Sequence, residues 1–316
     1  MERAWVVVFT GLLWKFLKQI IMAEKKKLVL IDADSLVFQC SKENLKESLD
    51  IIDERINNIF EATGADYYSM FISLGGYFRH KIDPSYKSNR KKYSTSLLWT
   101  RTLKNYLIEK YGAVAGKEVE ADDLVNYFYN NKICIHYDAI GNPIISAKND
   151  IFNLTADGEE MEVILASPDK DLLQSIPGKH FNYSYKLADK ENPDSLVKGF
   201  WVDTSNTEAD EFLRMQMIVG DVADGINGLS GKGPVYWKKM CAERTPFWSE
   251  ILNEYIIHHG DASVGIFEFQ KNYRLLKMLG NDNDFLREVG YIPEFNAYNV
   301  NNFIDNNDNG NEEVEF

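Results

Sequence analysis

The chain has 316 residues, of which 45% are hydrophobic and 26% charged, and this is typical of a soluble globular protein with one large or two smaller domains. Its three cysteines, Cys40, Cys134 and Cys241, exclude a disulfide framework and a CxxC zinc site, and they favour a reducing cytoplasm. The net charge of −13 argues against a uniformly basic nucleic-acid-binding surface, so any such surface must be local.

Residues 1–26 form an N-terminal extension with three open interpretations. Residues 4–14 are largely apolar, but a helix needs about 20 residues to span a bilayer, and no signal-peptide cleavage pattern follows. The segment is a membrane-surface helix, a cap on the core, or upstream sequence before a start at Met22. The last interpretation is favoured because Met22 leads directly into a buried-strand pattern.

Short apolar strands then alternate with amphipathic helices. The strands are predicted at Leu28–Ile31, Tyr67–Ile72 and Val163–Ala166, and the helices at Leu45–Ala62, Leu97–Tyr111, Ala121–Tyr129, Glu208–Val219 and Ile266–Leu279. This order predicts an α/β protein with a mainly parallel sheet. Ligands of such sheets bind beyond the carboxyl ends of the strands, where Asp32 and Asp169 are expected.

Three acids cluster at the predicted start of a helix. Glu120, Asp122 and Asp123 point at about 0°, 200° and 300° around the helix axis, so they share one half of its surface. At an effective dielectric constant of ~20, two carboxylates ~4 Å apart repel by roughly 4 kcal/mol, so such a cluster either takes up protons or holds metal. Solvent-facing acids at a helix N-terminus are the alternative. This alternative is weakened by four further clustered acids, which are Asp169, Asp171, Asp221 and Asp224.

Basic residues are concentrated in residues 78–92, which carry six lysines and arginines against one aspartate. Interleaved aromatic residues favour a nucleic-acid contact over a solvated basic loop. Further along, glycines in residues 220–233 permit positive φ angles and close approach of backbone N–H groups to a phosphate. A merely structural glycine turn is the alternative.

Five segments together resemble the signatures of the 5′-nuclease superfamily. This superfamily includes flap endonucleases, the 5′→3′ exonuclease domain of bacterial DNA polymerase I, phage 5′-exonucleases and phage RNase H. The segments are residues 31–36, 78–90, 119–125, 167–174 and 220–233. They follow the family's order over residues 27–240, which makes the combined match specific although each segment alone is weak.

The resemblance implies a PIN-like α/β core with a mainly parallel sheet, a helical arch and a C-terminal helical region. The catalytic domain would span residues 27–200, with the arch at about 78–117. A helical DNA-binding region would span 201–290, with a helix-three-turn-helix element, a helix-hairpin-helix relative, at about 220–240. Residues 291–316 would form a disordered acidic tail that is available to replication proteins.

The resemblance also implies site residues and cofactors. Two Mg²⁺ ions, replaceable by Mn²⁺, would be held by eight carboxylates, some directly and others through water: Asp32, Glu120, Asp122, Asp123, Asp169, Asp171, Asp221 and Asp224. The residues implied to contact the scissile phosphate or the base next to it are Tyr86, Lys87 and Arg90. The implied DNA-binding residues are Arg79, Lys91, Lys92, Gly228, Gly231, Lys232, Gly233, Lys238 and Lys239. A K⁺ ion is implied at the helix-three-turn-helix.

The expected function is hydrolysis of phosphodiester bonds at 5′ ends, flaps or nicks of DNA, extending to RNA primers in RNA–DNA hybrids, during replication or repair. The expected protein is a cytoplasmic monomer of a bacterium or a phage. A noncatalytic branched-DNA-binding protein and a PIN-type ribonuclease on structured RNA are the alternatives.

Three departures from the family pattern stand out. Relatives often place an aspartate after the second strand, where this chain has Ser73 to Gly76. Asp34 is a candidate partial substitute, and a surface aspartate or a helix N-cap are the alternatives for it. Lys232 stands where relatives favour an aliphatic residue. Residues 135–161 are longer than the corresponding link in the family, and their turn signals predict an inserted hairpin or loop.

Overall fold

The computed structural model describes residues 26–90, 99–131, 134–137, 143–146, 162–188, 190 and 196–293. The strands in these residues are β1 (Lys27–Asp32), β2 (Tyr67–Ser73), β3 (Val114–Gly116), β4 (Cys134–Tyr137), β5 (Pro143–Ser146), β6 (Glu162–Ala166), β7 (Gly178–Leu187), β8 (Leu196–Thr204), β9 (Gly220–Asp221) and β10 (Ile226–Asn227). The helices are α1 (Asp34–Cys40), α2 (Leu45–Thr63), α3 (Phe78–Ile82), α4 (Thr100–Tyr111), α5 (Ala121–Asn131), α6 (Lys170–Ser175), α7 (Asn206–Val219), α8 (Pro234–Met240), α9 (Trp248–His259), α10 (Ala262–Leu276) and α11 (Asp282–Glu288).

The main sheet has six strands in the order β3-β2-β1-β6-β7-β8. All neighbours pair in parallel except β7 and β8, which are antiparallel, so the predicted mainly parallel α/β sheet is confirmed. The register sets Asp32 of β1 beside Phe71 of β2, and Ile31 beside Ala166 of β6. Side chains that follow these strands therefore emerge at one edge of the sheet, where ligands of α/β proteins bind.

Strand β1 is central because both of its faces are apolar. Leu28 and Leu30 pack on one side of the sheet with Phe128 of α5, whereas Val29 and Ile31 pack on the other side with α2. Each of these side chains is buried, and full burial contributes roughly 1.5–3 kcal/mol for a residue of this size. The apolar run that predicted this strand thus reflects burial on both faces.

The predicted helices are present, with shifted ends. The largest shift is in α10, which begins four residues before the predicted Ile266 and ends three residues before the predicted Leu279. Asp261 caps this helix by accepting a hydrogen bond from the Val264 backbone N–H at 3.0 Å. The extended backbone of Lys277 ends it.

Strands β7 and β8 are not among the predicted strands. Strand β8 ends at Thr204, so the predicted boundary of the catalytic domain at residue 200 falls inside this strand. Helix α7 begins directly afterwards, where Ser205 and Glu208 form a capping box. The helices α7 to α11 then form the predicted C-terminal helical region.

Several predicted features fall partly or wholly outside the described residues. Strands β4 and β5 pair antiparallel, which agrees with a hairpin in this segment, and its being an insertion relative to the family stays a prediction. The N-terminal extension up to residue 25, the arch segment 91–98 with Lys91 and Lys92, and the tail from residue 294 lie outside the described part. Among the helices that are described, none has the length and apolar character needed to cross a membrane.

Candidate metal centre

Asp32 lies at the carboxyl end of β1 and is buried. Its carboxylate accepts hydrogen bonds from the Ser167 hydroxyl at 2.9 Å and from the Asp34 backbone N–H at 3.2 Å. The Ser167 oxygen also accepts the backbone N–H of Asp169 at 2.9 Å. A serine can fill both roles because its hydroxyl donates once and accepts twice. Ser167, which the sequence analysis did not single out, therefore ties Asp32 to the aspartates that follow β6.

A second group of acids lies at the start of α6 and the end of α7. Asp169 caps α6 and accepts the Asp171 backbone N–H at 2.8 Å. The buried amide of Gln216 donates to Asp171 Oδ1 at 2.8 Å and to Asp221 Oδ2 at 3.2 Å, so it holds the two carboxylates together. Lys170 contacts the same two oxygens, with Nζ at 3.0 Å from Asp171 and 2.6 Å from Asp221.

A third group surrounds Glu120, directly before α5. The Glu120 carboxylate accepts hydrogen bonds from Arg79 at 3.0 Å, from the Tyr86 hydroxyl at 2.8 Å and from the Lys87 ammonium. Burial by itself raises the pKa of Glu120, but the charges of Lys87 and Arg79 outweigh it and lower the pKa to about 2. Glu120 is therefore ionised at neutral pH.

Asp122 and Asp123 complete this third group. One carboxylate oxygen from each of Glu120, Asp122 and Asp123 lies within 4.8 Å of the others, as the helical spacing predicted. Burial raises the pKa of Asp122 well above its usual value, and the charges of Glu120 and Asp123 raise it further. Three acids this close are stable as anions only with a compensating cation.

Asp123 is fully buried behind the other two acids. Its oxygens accept two hydrogen bonds from Arg79, at 2.6 and 2.8 Å, and one from the Leu279 backbone N–H at 2.9 Å. Both oxygens are thus already in use. Direct ligation of a metal by Asp123 would require Arg79 to give up a contact, so its place in the predicted ligand set stays a prediction.

The predicted DNA contact of Arg79 is contradicted by its burial. The side chain is 2% exposed. Besides Glu120 and Asp123, its guanidinium donates to the backbone carbonyls of Leu275 at 2.9 Å and Lys277 at 3.1 Å. With its donors directed to protein acceptors in the interior, Arg79 does not face a phosphate. It connects the acidic start of α5 to the end of α10.

The loop after α3 joins the acidic groups to one another. The Tyr86 hydroxyl oxygen lies 3.2 Å from Asp224 Oδ2 as well as 2.8 Å from Glu120 Oε2, and Lys87 Nζ lies 3.7 Å from Asp224. Arg90 forms an ion pair with Asp224, and its side chain is 45% exposed. The three residues predicted to contact the scissile phosphate therefore border the carboxylates.

The backbone of Lys87 adopts a left-handed conformation with φ of 58°, which is rare outside glycine. Its N–H donates to the Asp224 carbonyl at 2.8 Å, which holds this conformation in place. Strained backbone of this kind concentrates at functional sites because the surrounding structure must impose it. The loop is thus built to place the Lys87 ammonium between Glu120 and Asp224.

These contacts, together with the hydrogen bonds from the Asp224 backbone to Asp221 and from the Asp123 backbone to Asp122, link all eight predicted acids into one continuous network. Burial, followed by the charges of Asp34 and Asp169, raises the pKa of Asp32 to about 8. Burial also raises the pKa of Asp169, and the charge of Asp224 adds to the effect. Within the described residues, the basic side chains that pair with the eight acids are Arg79, Lys87, Arg90 and Lys170. The remaining negative charge and the oxygen-only donor set fit a hard divalent cation such as Mg²⁺.

We expect the affinity for Mg²⁺ to increase from about pH 6 to about pH 9, because a metal ion binds deprotonated carboxylates. Burial raises the pKa of Asp171 to about 6 and that of Asp32 to about 8, so protons must leave both groups in this range. One proton released per ion makes binding tighter by up to about tenfold per pH unit. Isothermal titration at several pH values measures this dependence.

Thermal melting of the metal-free protein gives an independent check. The folded-state pKa of Asp32 lies above its unfolded value, so its stabilising contribution is complete below the unfolded pKa and is lost as the pH rises through about 8. The melting temperature without metal should therefore fall over the same range. Asp32→Asn should flatten the pH dependence of the Mg²⁺ affinity and that of the melting temperature. An Mg²⁺ affinity that does not change with pH would contradict the assignment of these acids as metal ligands.

The end of β2, where the expected aspartate is missing, is occupied by Ser73. Its backbone N–H donates to Asp34 at 2.9 Å, and its hydroxyl donates to the same carboxylate. The Ser73 hydroxyl oxygen accepts the Ala121 backbone N–H at 2.8 Å, and Lys104 Nζ lies 3.5 Å from Asp34. Asp34 thus brings a carboxylate to the end of β2, as the predicted substitution requires. Its role as a ligand stays a prediction.

The glycine-rich segment after α7 forms a short antiparallel pair, β9 with β10. Beyond it, Gly231 and Gly233 are exposed, as are Lys238 and Lys239 on α8. This leaves backbone and ammonium groups open to an anion. Lys232 differs from this pattern, because its ammonium pairs with Glu254 and its side chain is only 16% exposed.

Gly228 is required for a close approach of two backbone segments. A Cβ atom at this position would lie 2.3 Å from the Val219 carbonyl carbon and 2.4 Å from the Gly220 nitrogen. We therefore expect Gly228→Ala to lower the free energy of unfolding by ~1–3 kcal/mol, as overpacking does elsewhere. Gly233→Ala is the matched control, since its Cβ would meet nothing within 4 Å. Urea denaturation measures both, and equal stability of the two variants would contradict the close approach.

No protein-family model matches this sequence. Its fold is similar to solved structures of a bacteriophage T5 nuclease. One is the T5 flap endonuclease in a pseudo-enzyme–product complex with DNA and metal ions, at 15% identity and a TM-score of 0.54. Another is the T5 5′-exonuclease with bound zinc, at 16% identity and a TM-score of 0.53. Each alignment covers 80% of this chain and 90% of the T5 chain. The chain therefore shares the fold of the T5 nuclease, in agreement with the fold that the sequence resemblance implied.

Proposed function

We propose that this chain, which has the fold of the 5′-nuclease superfamily, is a metal-dependent 5′-nuclease that acts on DNA. The observation that carries the proposal is the continuous network of eight carboxylates at the carboxyl edge of the sheet, bordered by Tyr86, Lys87 and Arg90. A protein that only bound DNA would gain nothing from uncompensated negative charge beside a phosphate. The T5 relative was solved with DNA and metal ions, which also supports the proposal.

Two Mg²⁺ ions, or Mn²⁺ in their place, would be held by acids of this network. When bound, such ions lower the pKa of an attacking water and neutralise charge on the leaving oxygen. Glu120 is held ionised at neutral pH by Lys87 and Arg79, so it is ready to accept an ion. The buried amide of Gln216 and hydroxyl of Ser167 fix the orientation of the aspartates, which preorganises the ligand set.

Lys87 and Arg90 would stabilise the phosphate in the transition state. They pair with Glu120 and Asp224. They would therefore meet a scissile phosphate at the border of the carboxylates that hold the ions. The planar guanidinium can bind two phosphate oxygens, whereas the ammonium acts as a point charge.

Duplex DNA would bind along the glycine-rich segment and α8. The exposed backbone of Gly231 and Gly233 suits phosphate contacts, and Lys238 and Lys239 add positive charge. The proposal also includes a K⁺ ion at this element, removal of RNA primers and a role in replication or repair. It further includes a monomeric state, a cytoplasmic location and partner proteins that bind the acidic tail.

One gel assay tests the proposal directly. The purified protein is incubated with 5′-flap, nicked, single-stranded and RNA-primer substrates, each with Mg²⁺ and with EDTA. We expect cleavage at the 5′ end or flap of DNA with Mg²⁺ and none with EDTA. Binding of branched DNA without cleavage would instead identify a noncatalytic binder, and preferential cleavage of structured RNA would identify a ribonuclease.

A further inference from the structure

Lys170 occupies an unusual place within the acidic network. It is the first residue of α6 and stands between Asp169 and Asp171 in the sequence. Its ammonium lies 2.6 Å from Asp221 Oδ2 and 3.0 Å from Asp171 Oδ1, so it bridges acids from two different elements. A cation between two carboxylates removes the repulsion that would otherwise separate them.

The geometry around this lysine fixes the two oxygens. The amide of Gln216 donates to the same two atoms, Asp171 Oδ1 and Asp221 Oδ2, and Gln216 is 4% exposed. Asp221 receives a further hydrogen bond from the Ala223 backbone N–H at 2.9 Å. The oxygens therefore stay convergent without Lys170, and the position between them can take another cation.

We infer that Lys170 is a built-in counter-cation of the Asp171–Asp221 pair, and that a divalent ion bound by this pair must displace it. Lys170 would thereby set the affinity of this one ion position. The inference rests on the proposed function, because it assumes that these acids bind metal.

The exposure of Lys170 makes displacement feasible. Its side chain is 50% exposed, so the ammonium can turn into water, whereas the side chain of Asp221 is 4% exposed and stays in place. Lys87 differs, because its side chain is 10% exposed and its backbone is fixed to Asp224. Displacement is therefore expected at the pair bridged by Lys170 and not at Glu120.

Titration with Ca²⁺ in the absence of DNA tests the inference without relying on cleavage. Lys170→Ala should bind one class of Ca²⁺ site roughly fivefold more tightly than the wild type, which corresponds to ~1 kcal/mol, and leave the other class unchanged. Without metal, its melting temperature should lie below that of the wild type, since Asp171 and Asp221 then repel each other. Addition of Ca²⁺ should raise the melting temperature of this variant more than that of the wild type. Lys170→Arg, which keeps the cation, should behave like the wild type.

Lys198→Ala is a matched control. Lys198 pairs with Glu54 at 2.6 Å and its side chain is 48% exposed, but it lies on β8, outside the acidic network. This variant should leave the Ca²⁺ affinity unchanged. Unchanged or weaker Ca²⁺ binding by Lys170→Ala would overturn the inference while leaving the proposed function standing. A flat titration of the wild type would instead overturn the metal binding on which the proposed function depends.

Discussion

The double substitution Asp122→Asn with Asp169→Asn should slow DNA cleavage by at least about a thousandfold, which corresponds to ~4 kcal/mol of lost transition-state stabilisation. Asparagine keeps the size of each side chain but removes the charge that a divalent ion needs. Binding of branched DNA in Ca²⁺ should be retained, because the exposed lysines of α8 are unchanged. Single-turnover rates and a gel-shift titration measure the two properties separately.

The same variant should be more stable than the wild type in the absence of metal. Burial raises the pKa of Asp122 and of Asp169, and like charges raise both further, so neutral side chains relieve a cost of the metal-free fold. Higher stability with lost activity is the signature of a functional site rather than a structural one. Asp203→Asn with Asp210→Asn, two exposed acids, is the control. Cleavage at the wild-type rate by the Asp122/Asp169 variant would refute the metal assignment.

The convergence of the acids could be predicted from the sequence because strand order fixes it. Asp32 and Asp169 follow the parallel strands β1 and β6, and helical spacing places Asp123 between Glu120 and Asp122 in one half of the helix surface. Gln216 could also have been found, since it is the one polar residue in the run from Met215 to Val219. A buried polar residue that interrupts an apolar helix face usually has a specific partner.

The role of Arg79 could not be read from local sequence. It stands in a run of basic residues, and such runs usually form solvated or nucleic-acid-binding surfaces. Its burial depends on carbonyls that lie 196 and 198 positions away along the chain. Strands β7 and β8 were missed for a related reason. The edge strand β8 is exposed or half-exposed up to Thr204, so it lacks a continuous apolar run.

The buried position of Arg79 gives the second large prediction. Arg79→Met should lower the free energy of unfolding by ~3–5 kcal/mol, because it leaves Asp123 buried without its ion-pair partner and removes one of the two cations that pair with Glu120. Methionine fills part of the space, so lost volume contributes little to this effect. Urea denaturation in EDTA measures the change. Lys81→Ala is the control, since this lysine pairs with Glu118 at 64% exposure and should matter by less than ~1 kcal/mol.

A double-mutant cycle separates the ion pair from the rest of the Arg79 contacts. If the ion pair with Asp123 supplies most of the stabilisation by Arg79, Asp123→Asn should lower the free energy of unfolding much less in the Arg79→Met background than in the wild type. The coupling energy should then be ~2–3 kcal/mol. If the carbonyls of Leu275 and Lys277 dominate, the two changes should instead be additive. If the stability of Arg79→Met lies within ~1 kcal/mol of the wild type, neither the ion pair nor the carbonyl contacts of Arg79 stabilise the fold as predicted, since an unpaired buried carboxylate destabilises by more than this. The acidic start of α5 would then have to be held in place without Arg79.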